Sequence, residues 1–188
     1  MQQHTSPASL RHYLWLALTV AASVAFTLGF ACAVPLAAFG AVAALTLSRR
    51  DALLLIGAVW LANQLVGYAI LGYPWTSNSL AWGAILGVAA VPATMAAQRA
   101  ALHLKGTGRV VASCGAFVVA FGVYEAALFV AAVSAMGGTE DFAPAIVGEI
   151  LTINAAAFVG LLVLNRLGAI VDLGAKPNMR PSEAARHA

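Results

Sequence analysis

Six apolar runs divide the chain, at residues 13 to 31, 34 to 47, 52 to 71, 79 to 98, 110 to 135 and 143 to 167, and each is closed by turn or charge signals. Runs of this kind leave few folds open. In lipid every backbone group must be satisfied internally, so only helices and closed barrels span a membrane. Barrel strands are about 10 residues long and alternate in polarity, whereas these runs are longer and continuously apolar. The expected class is therefore an all-α integral membrane protein. Composition agrees: hydrophobic residues make up 62% of the chain and charged residues 9%, with a mean hydropathy of +0.88, where soluble domains carry about 25% charge. At 188 residues several spans of about 20 residues fit and a separate soluble domain does not.

The breaks fix the expected topology. Arg11, then Arg49 and Arg50, then Arg99, Lys105 and Arg109, then Arg166, Lys176, Arg180 and Arg186 fall on one side if six transmembrane helices start inside. The positive-inside rule makes that side cytoplasmic, with both the N-terminus and the C-terminus there. The opposite loops hold Glu140 and Asp141 as their only charged residues. The expected organisation is a cytoplasmic tail at 1–12, a six-helix membrane domain at 13–171 and a cytoplasmic tail at 172–188, in a bacterial-type inner (plasma) membrane. A cleaved signal peptide is the competing reading of the first run, which ends Ala31-Cys32-Ala33, although about 18 residues exceeds the usual apolar region of roughly 7 to 15. Pro35 is expected to start a short second helix of about 14 residues, or ~21 Å, too short to cross a ~30 Å core unaided. Such a helix tilts little, thins the bilayer or lines a cavity.

Small residues recur four apart: Ala17, Ala21 and Ala25 in the first run, Ala33, Ala37 and Ala41 in the second, Gly83 and Gly87 in the fourth. This spacing lets helix backbones approach closely, either within the bundle or against a partner subunit. Six helices with both termini inside, about 190 residues, uncharged outer loops and the alanines Ala17, Ala21 and Ala25 resemble the substrate-binding S-components of energy-coupling-factor (ECF) vitamin transporters. That resemblance covers residues 13 to 167 as architecture. It implies that Ala17, Ala21 and Ala25 dock a coupling membrane subunit, with ATPases in trans, and that a vitamin-like ligand of the cobalamin, thiamine or riboflavin class binds near the outer face under the loops. The connection at Cys32 to Pro35 is shorter than the loop many members carry over the site.

The stretch NQLVGYAILGYPWTSNSLAWG, residues 63 to 83, is polar and aromatic yet carries no charge. Asn63, Gln64, Tyr68, Tyr73, Trp75, Asn78 and Trp82 are its candidate ligand-binding residues, since rings and amides grip a neutral or mixed-polarity ligand. The other reading divides them between interhelical bonds and the interfacial aromatic belt. A charge deep in a membrane costs roughly 2.5 to 3.5 kcal/mol on the insertion scale, so Glu125 and Glu149 each need a reason. Glu149, in the outer half of its run, is either a ligand acceptor or proton carrier, or a neutral carboxylic acid bonded to neighbouring helices. Glu125 is deeper and suits the latter. Cys32 is the one thiol expected near the outer face. Some cobalamin-specific S-components have a cysteine ligand to cobalt, and a thiolate is a soft ligand, but a small buried cysteine is the simpler account and no metal site is expected.

Enzyme motifs are missing. There is no GxxxxGK[ST] loop, HExxH, GxSxG or GxGxxG, so no catalysis or cofactor is expected and any ATP-driven motor is another protein. Lys and Arg never form a run with interleaved aromatics, which argues against nucleic acid. The alternatives to a ligand-binding subunit are a structural or assembly subunit that docks through its alanine stripes, and a proton-linked carrier using Glu125 and Glu149.

Overall fold

A computed structural model describes residues 7–30 and 34–170, which place Cys32, Ala33 and both tails at 1–6 and 171–188 outside the described residues. The described chain is helical, with no strand among its residues. Its six α-helices are α1 (Pro7–Phe30), α2 (Leu36–Thr46), α3 (Arg49–Ala69), α4 (Ser77–His103), α5 (Arg109–Ala131) and α6 (Pro144–Ile170). A π-helical turn at Ala132–Met136 extends α5, and a 3-10 turn at Thr139–Phe142 precedes α6. Four helices are long and apolar enough to cross a membrane: α3, α4, α5 with its extension, and α6. The apolar part of α1, Tyr13–Gly29, and all of α2 are shorter. α1 begins six residues ahead of the apolar run that announces it.

The helix ends follow local chemistry. Ser48 accepts from the Asp51 N–H and Thr76 from the Ser79 N–H, so α3 and α4 each start on a side-chain cap. Gly72, Gly137 and Gly138 take positive φ at the turns that follow α3 and α5, a conformation that side chains disfavour. Arg49, Arg99, Lys105, Arg109 and Arg166 gather at one end of the bundle, hereafter the basic end. The turns at 70–76 and 137–143 form the opposite end.

α2 is the axis of the bundle. Every residue from Leu36 to Ala43 is buried, and α3, α4, α5 and α6 all pack on it. α1 completes the wall: it lies along α3, sets Phe26 edge-on to Phe39 at 6.0 Å, and places the Trp15 ring where Gly168 of α6 has no side chain. Because lipid tails are as apolar as leucine, packing and not hydrophobic transfer holds such helices together, and small residues permit it. Ala37 and Ala41 are buried in α2. Gly83 and Gly87 of α4 take α3: a Cβ on Gly87 would meet the Trp60 ring at 2.7 Å, and one on Gly83 would collide with the Gln64 amide. The short second helix thus solves its length problem by being wrapped in protein, and its far end lines a cavity.

α1 shows two opposed stripes. Trp15, Thr19, Ser23 and Thr27 are buried, while Ala17, Ala21 and Ala25, displaced by two residues or about 200° at 3.6 residues per turn, are exposed. The buried hydroxyls are satisfied within the helix: Thr19 donates to the Trp15 carbonyl at 2.9 Å, Ser23 to Val20 at 2.7 Å and Thr27 to Ser23 at 2.9 Å.

Candidate functional site

α3 and α4 bring together most of the residues that the polar segment suggested, at the end opposite the cations. Tyr68 is the hub. Its hydroxyl lies 2.9 Å from Ser79 Oγ in the first turn of α4, its ring is tilted against Trp75 at 4.8 Å, and Tyr73 meets it edge-on at 5.8 Å. Tyr73 is held from behind, because its ring covers Gly67 and its N–H donates to the Gly67 carbonyl at 3.0 Å. Any side chain at Gly67 would displace it.

Asn63 and Gln64 are turned into the bundle. Asn63 is buried and donates from Nδ2 to Thr27 Oγ1 of α1 at 3.3 Å, while Gln64 Nε2 donates to Asn63 Oδ1 at 3.1 Å. Trp60, one turn earlier, donates from Nε1 to the Gly83 carbonyl at 2.7 Å. These bonds tie α1, α3 and α4 into one unit beneath the aromatic cluster. Trp60 and Ser79 belong to this site although sequence reasoning passed over them. Trp60 stands three and four residues before Asn63 and Gln64, on the same helical face, and that spacing was the available signal.

The remaining candidates differ. Trp75 is 74% exposed and Asn78 is exposed, whereas Trp82 is half-buried. Glu149 is exposed on α6, a helix that packs on α2 and α5, and it makes no hydrogen bond or ion pair to the α3–α4 cluster. Glu125 is half-buried on α5, beside the buried Tyr124. Among the described residues no three of His, Cys, Asp and Glu come together, and Cys32 lies outside them. What the arrangement can do chemically is present an aromatic platform with a rigid underside and an open top, uncharged throughout. Aromatic rings arranged this way can stack with a planar or apolar ring.

That platform gives a direct expectation. Trp75→Ala should weaken binding of a stacked ligand a few-fold or more, the equivalent of ~0.5 to 1.5 kcal/mol, measured by titration against thermal shift. Unchanged affinity would return Trp75 to an interfacial anchor. No protein-family model, no curated protein and no solved structure matches this chain.

Proposed function

We propose that the chain is a non-enzymatic, multi-pass membrane subunit, with six spans and both termini cytoplasmic, that binds a small vitamin-like micronutrient at the outer face of a bacterial-type inner membrane. It docks through α1 against a coupling membrane subunit, and ATPases in trans supply the energy. This is the role that the resemblance to S-components implies. The observation that carries it is the stripe of Ala17, Ala21 and Ala25, exposed on the outside of α1 while the opposite, hydroxyl-bearing face of the same helix is consumed inside the bundle. Methyl groups four residues apart, with exposed Leu14 and Leu28 above and below them on the same side, leave room for another helix to approach at the alanines. The aromatic platform at the far end supports a ligand stacked by rings, and the gathering of cations at the other end supports the topology.

The test is Ala17→Leu combined with Ala21→Leu. Two branched side chains on that face should weaken association with the coupling subunit by about tenfold or more, the equivalent of 1.4 kcal/mol, and leave ligand binding intact in detergent. Complex formation at the parent level would remove the docking role.

A second reading has its own observation in favour. Asn63, Gln64 and Tyr68 spend hydrogen bonds on Thr27, Asn63 and Ser79, as they would in an assembly subunit that holds no ligand. Native mass spectrometry and thermal shift across vitamins and their precursors separate the two. A specific, stabilising hit supports the binding subunit, and an unresponsive protein that still forms a complex through α1 supports the assembly subunit.

A further inference from the structure

α2 ends at Thr46, and no helix among the described residues fills the space beyond it at the basic end. A cavity of about 1500 Å³ lies there, walled by the ends of α2, α4, α5 and α6. Phe117 of α5 and Phe158 of α6, stacked at 4.8 Å, both line it. α5 and α6 each pack on α2 more closely than on one another, and Val110 of α5 and Val159 of α6, which both line the cavity, are also exposed on the outer surface, so the cavity reaches the bundle wall at these two helices. Leu45, Val159 and Leu162 make the interior apolar.

The mouth has the opposite character. Arg49, Arg99, Lys105, Arg109 and Arg166 all line it, and no acidic residue does. None of the five forms an ion pair among the described residues, and Arg49 donates to Met95 Sδ at 3.8 Å. Helix dipoles account for cations near the C-terminal ends of α4 and α6, but not for Arg49 and Arg109, which open α3 and α5 at the ends where a dipole disfavours positive charge. Topology requires cations on this side of the membrane and does not require five of them to converge on one opening. The volume also exceeds the roughly 300 to 1,000 Å³ of a typical small-molecule pocket.

An apolar interior, an opening at the bundle wall and a cationic rim without an acidic lining residue among the described residues together describe a receptor for an anionic amphiphile. We propose that this cavity binds an anionic phospholipid of the surrounding leaflet, its phosphate held by Arg99, Arg109 and Arg166 with Arg49 and Lys105 nearby, and an acyl chain lying between α5 and α6 against the Phe117–Phe158 stack. Basic pockets between helices at a cytoplasmic surface bind phosphate-bearing lipid headgroups, and guanidinium groups do so by paired hydrogen bonds. The site is independent of the aromatic platform at the other end and stands or falls separately from it.

Cys114 provides the readout, because it is exposed and lines the cavity. In a Cys32→Ser background of the full chain in mild detergent, the rate of maleimide labelling at Cys114 is measured with added dioleoyl phosphatidylglycerol, with dioleoyl phosphatidylcholine and with inorganic phosphate. Phosphatidylglycerol is expected to slow labelling at concentrations at least about fivefold below those needed for phosphatidylcholine, the factor that one surface cation contributes, and inorganic phosphate is expected to give no protection. Raising salt should erase the difference, and so should Arg99→Gln with Arg109→Gln and Arg166→Gln. Equal protection by the two lipids would overturn the proposal, as would protection by phosphate alone, which marks a free-anion site. Labelling that is already slow without lipid and is released by deleting residues 171–188 would mean that the chain fills its own cavity, and would overturn it too. The labelling of the parent protein decides the matter even if the triple variant does not fold.

Discussion

Gly40→Leu is expected to lower the thermal stability of the protein in mild detergent more than any other single change considered for the bundle, by about 3 kcal/mol or more, the upper range for overpacking a core. The reason is the approach of α2 to α4. A Cβ placed on Gly40 would stand 2.5 Å from Thr94 Oγ1 and 3.6 Å from Thr94 Cβ. Thr94 is itself fully buried, and its hydroxyl donates to the Ala90 carbonyl at 2.8 Å. Swinging that hydroxyl away would break its bond and bring the branch methyl into the same space. A leucine adds further carbons to a helix that has protein on every side, so the clash cannot be relieved outward.

The same geometry makes a smaller, sharper comparison available. Gly40→Ala alone should destabilise, even though alanine favours a helix over glycine by about 1 kcal/mol. Paired with Thr94→Ala, which removes Oγ1 and leaves the Cβ at an ordinary contact distance, it should recover most of the loss. A double-mutant cycle isolates that coupling. Additive effects, or a Gly40→Leu protein that melts with its parent, would show that α2 and α4 do not meet as closely as described.

The approach of α2 was only half legible in the residues. Pro35 and the 14-residue run announced a short helix, but nothing local says that a short helix will be central. That outcome depends on five other helices agreeing to surround it. The breaks between runs were legible because Gly, Pro and charge act locally, and so was the clustering of cations at one end. α1 is the instructive case. Its alanines are spaced four apart, and so are Trp15, Thr19, Ser23 and Thr27. Either stripe could have faced inward by spacing alone. The inward face is the one on which Thr27 accepts from Asn63 of α3 and Trp15 covers Gly168 of α6, partners that no spacing within α1 announces.

At the candidate site, depth along the helices was more legible than direction around them. Tyr68, Tyr73 and Trp75 converge because one turn joins α3 to α4 and limits where their side chains can go. Glu149 has a similar depth from the same end but lies on a helix whose rotation is set by contacts with α2, and it ends up exposed. The cavity at the basic end was invisible for a related reason. Its cations were read for topology, and their convergence appears only once α2 is seen to stop at Thr46.

Asn154→Leu is expected to cost about 1 to 3 kcal/mol, the penalty for leaving a buried backbone donor without an acceptor, and to cost more than Asn63→Leu. α2 starts inside the bundle on Pro35, which has no side-chain oxygen with which to cap a helix. Its first amides must find acceptors elsewhere. Leu36 N–H donates to the Val34 carbonyl at 2.8 Å and Phe39 N–H to the Pro35 carbonyl at 3.1 Å. Ala38 N–H donates to Asn154 Oδ1 at 3.2 Å, across 116 positions of sequence. Asn154 is 2% exposed and is oriented by its own Nδ2, which donates to the Ile150 carbonyl at 3.0 Å. A residue of α6 therefore serves as the N-cap of α2. Asn63 bonds only side chains, and Thr27 keeps its own acceptor at Ser23 when Asn63 is removed, so that loss should be nearer the ~0.6 kcal/mol average for interhelical bonds in membranes. Thermal unfolding of both variants in one detergent gives the ranking, and amide exchange over residues 36 to 39 should quicken in Asn154→Leu alone. If Asn63→Leu proves the more damaging, or exchange at Ala38 is unaltered, α2 does not depend on α6 for its first turn.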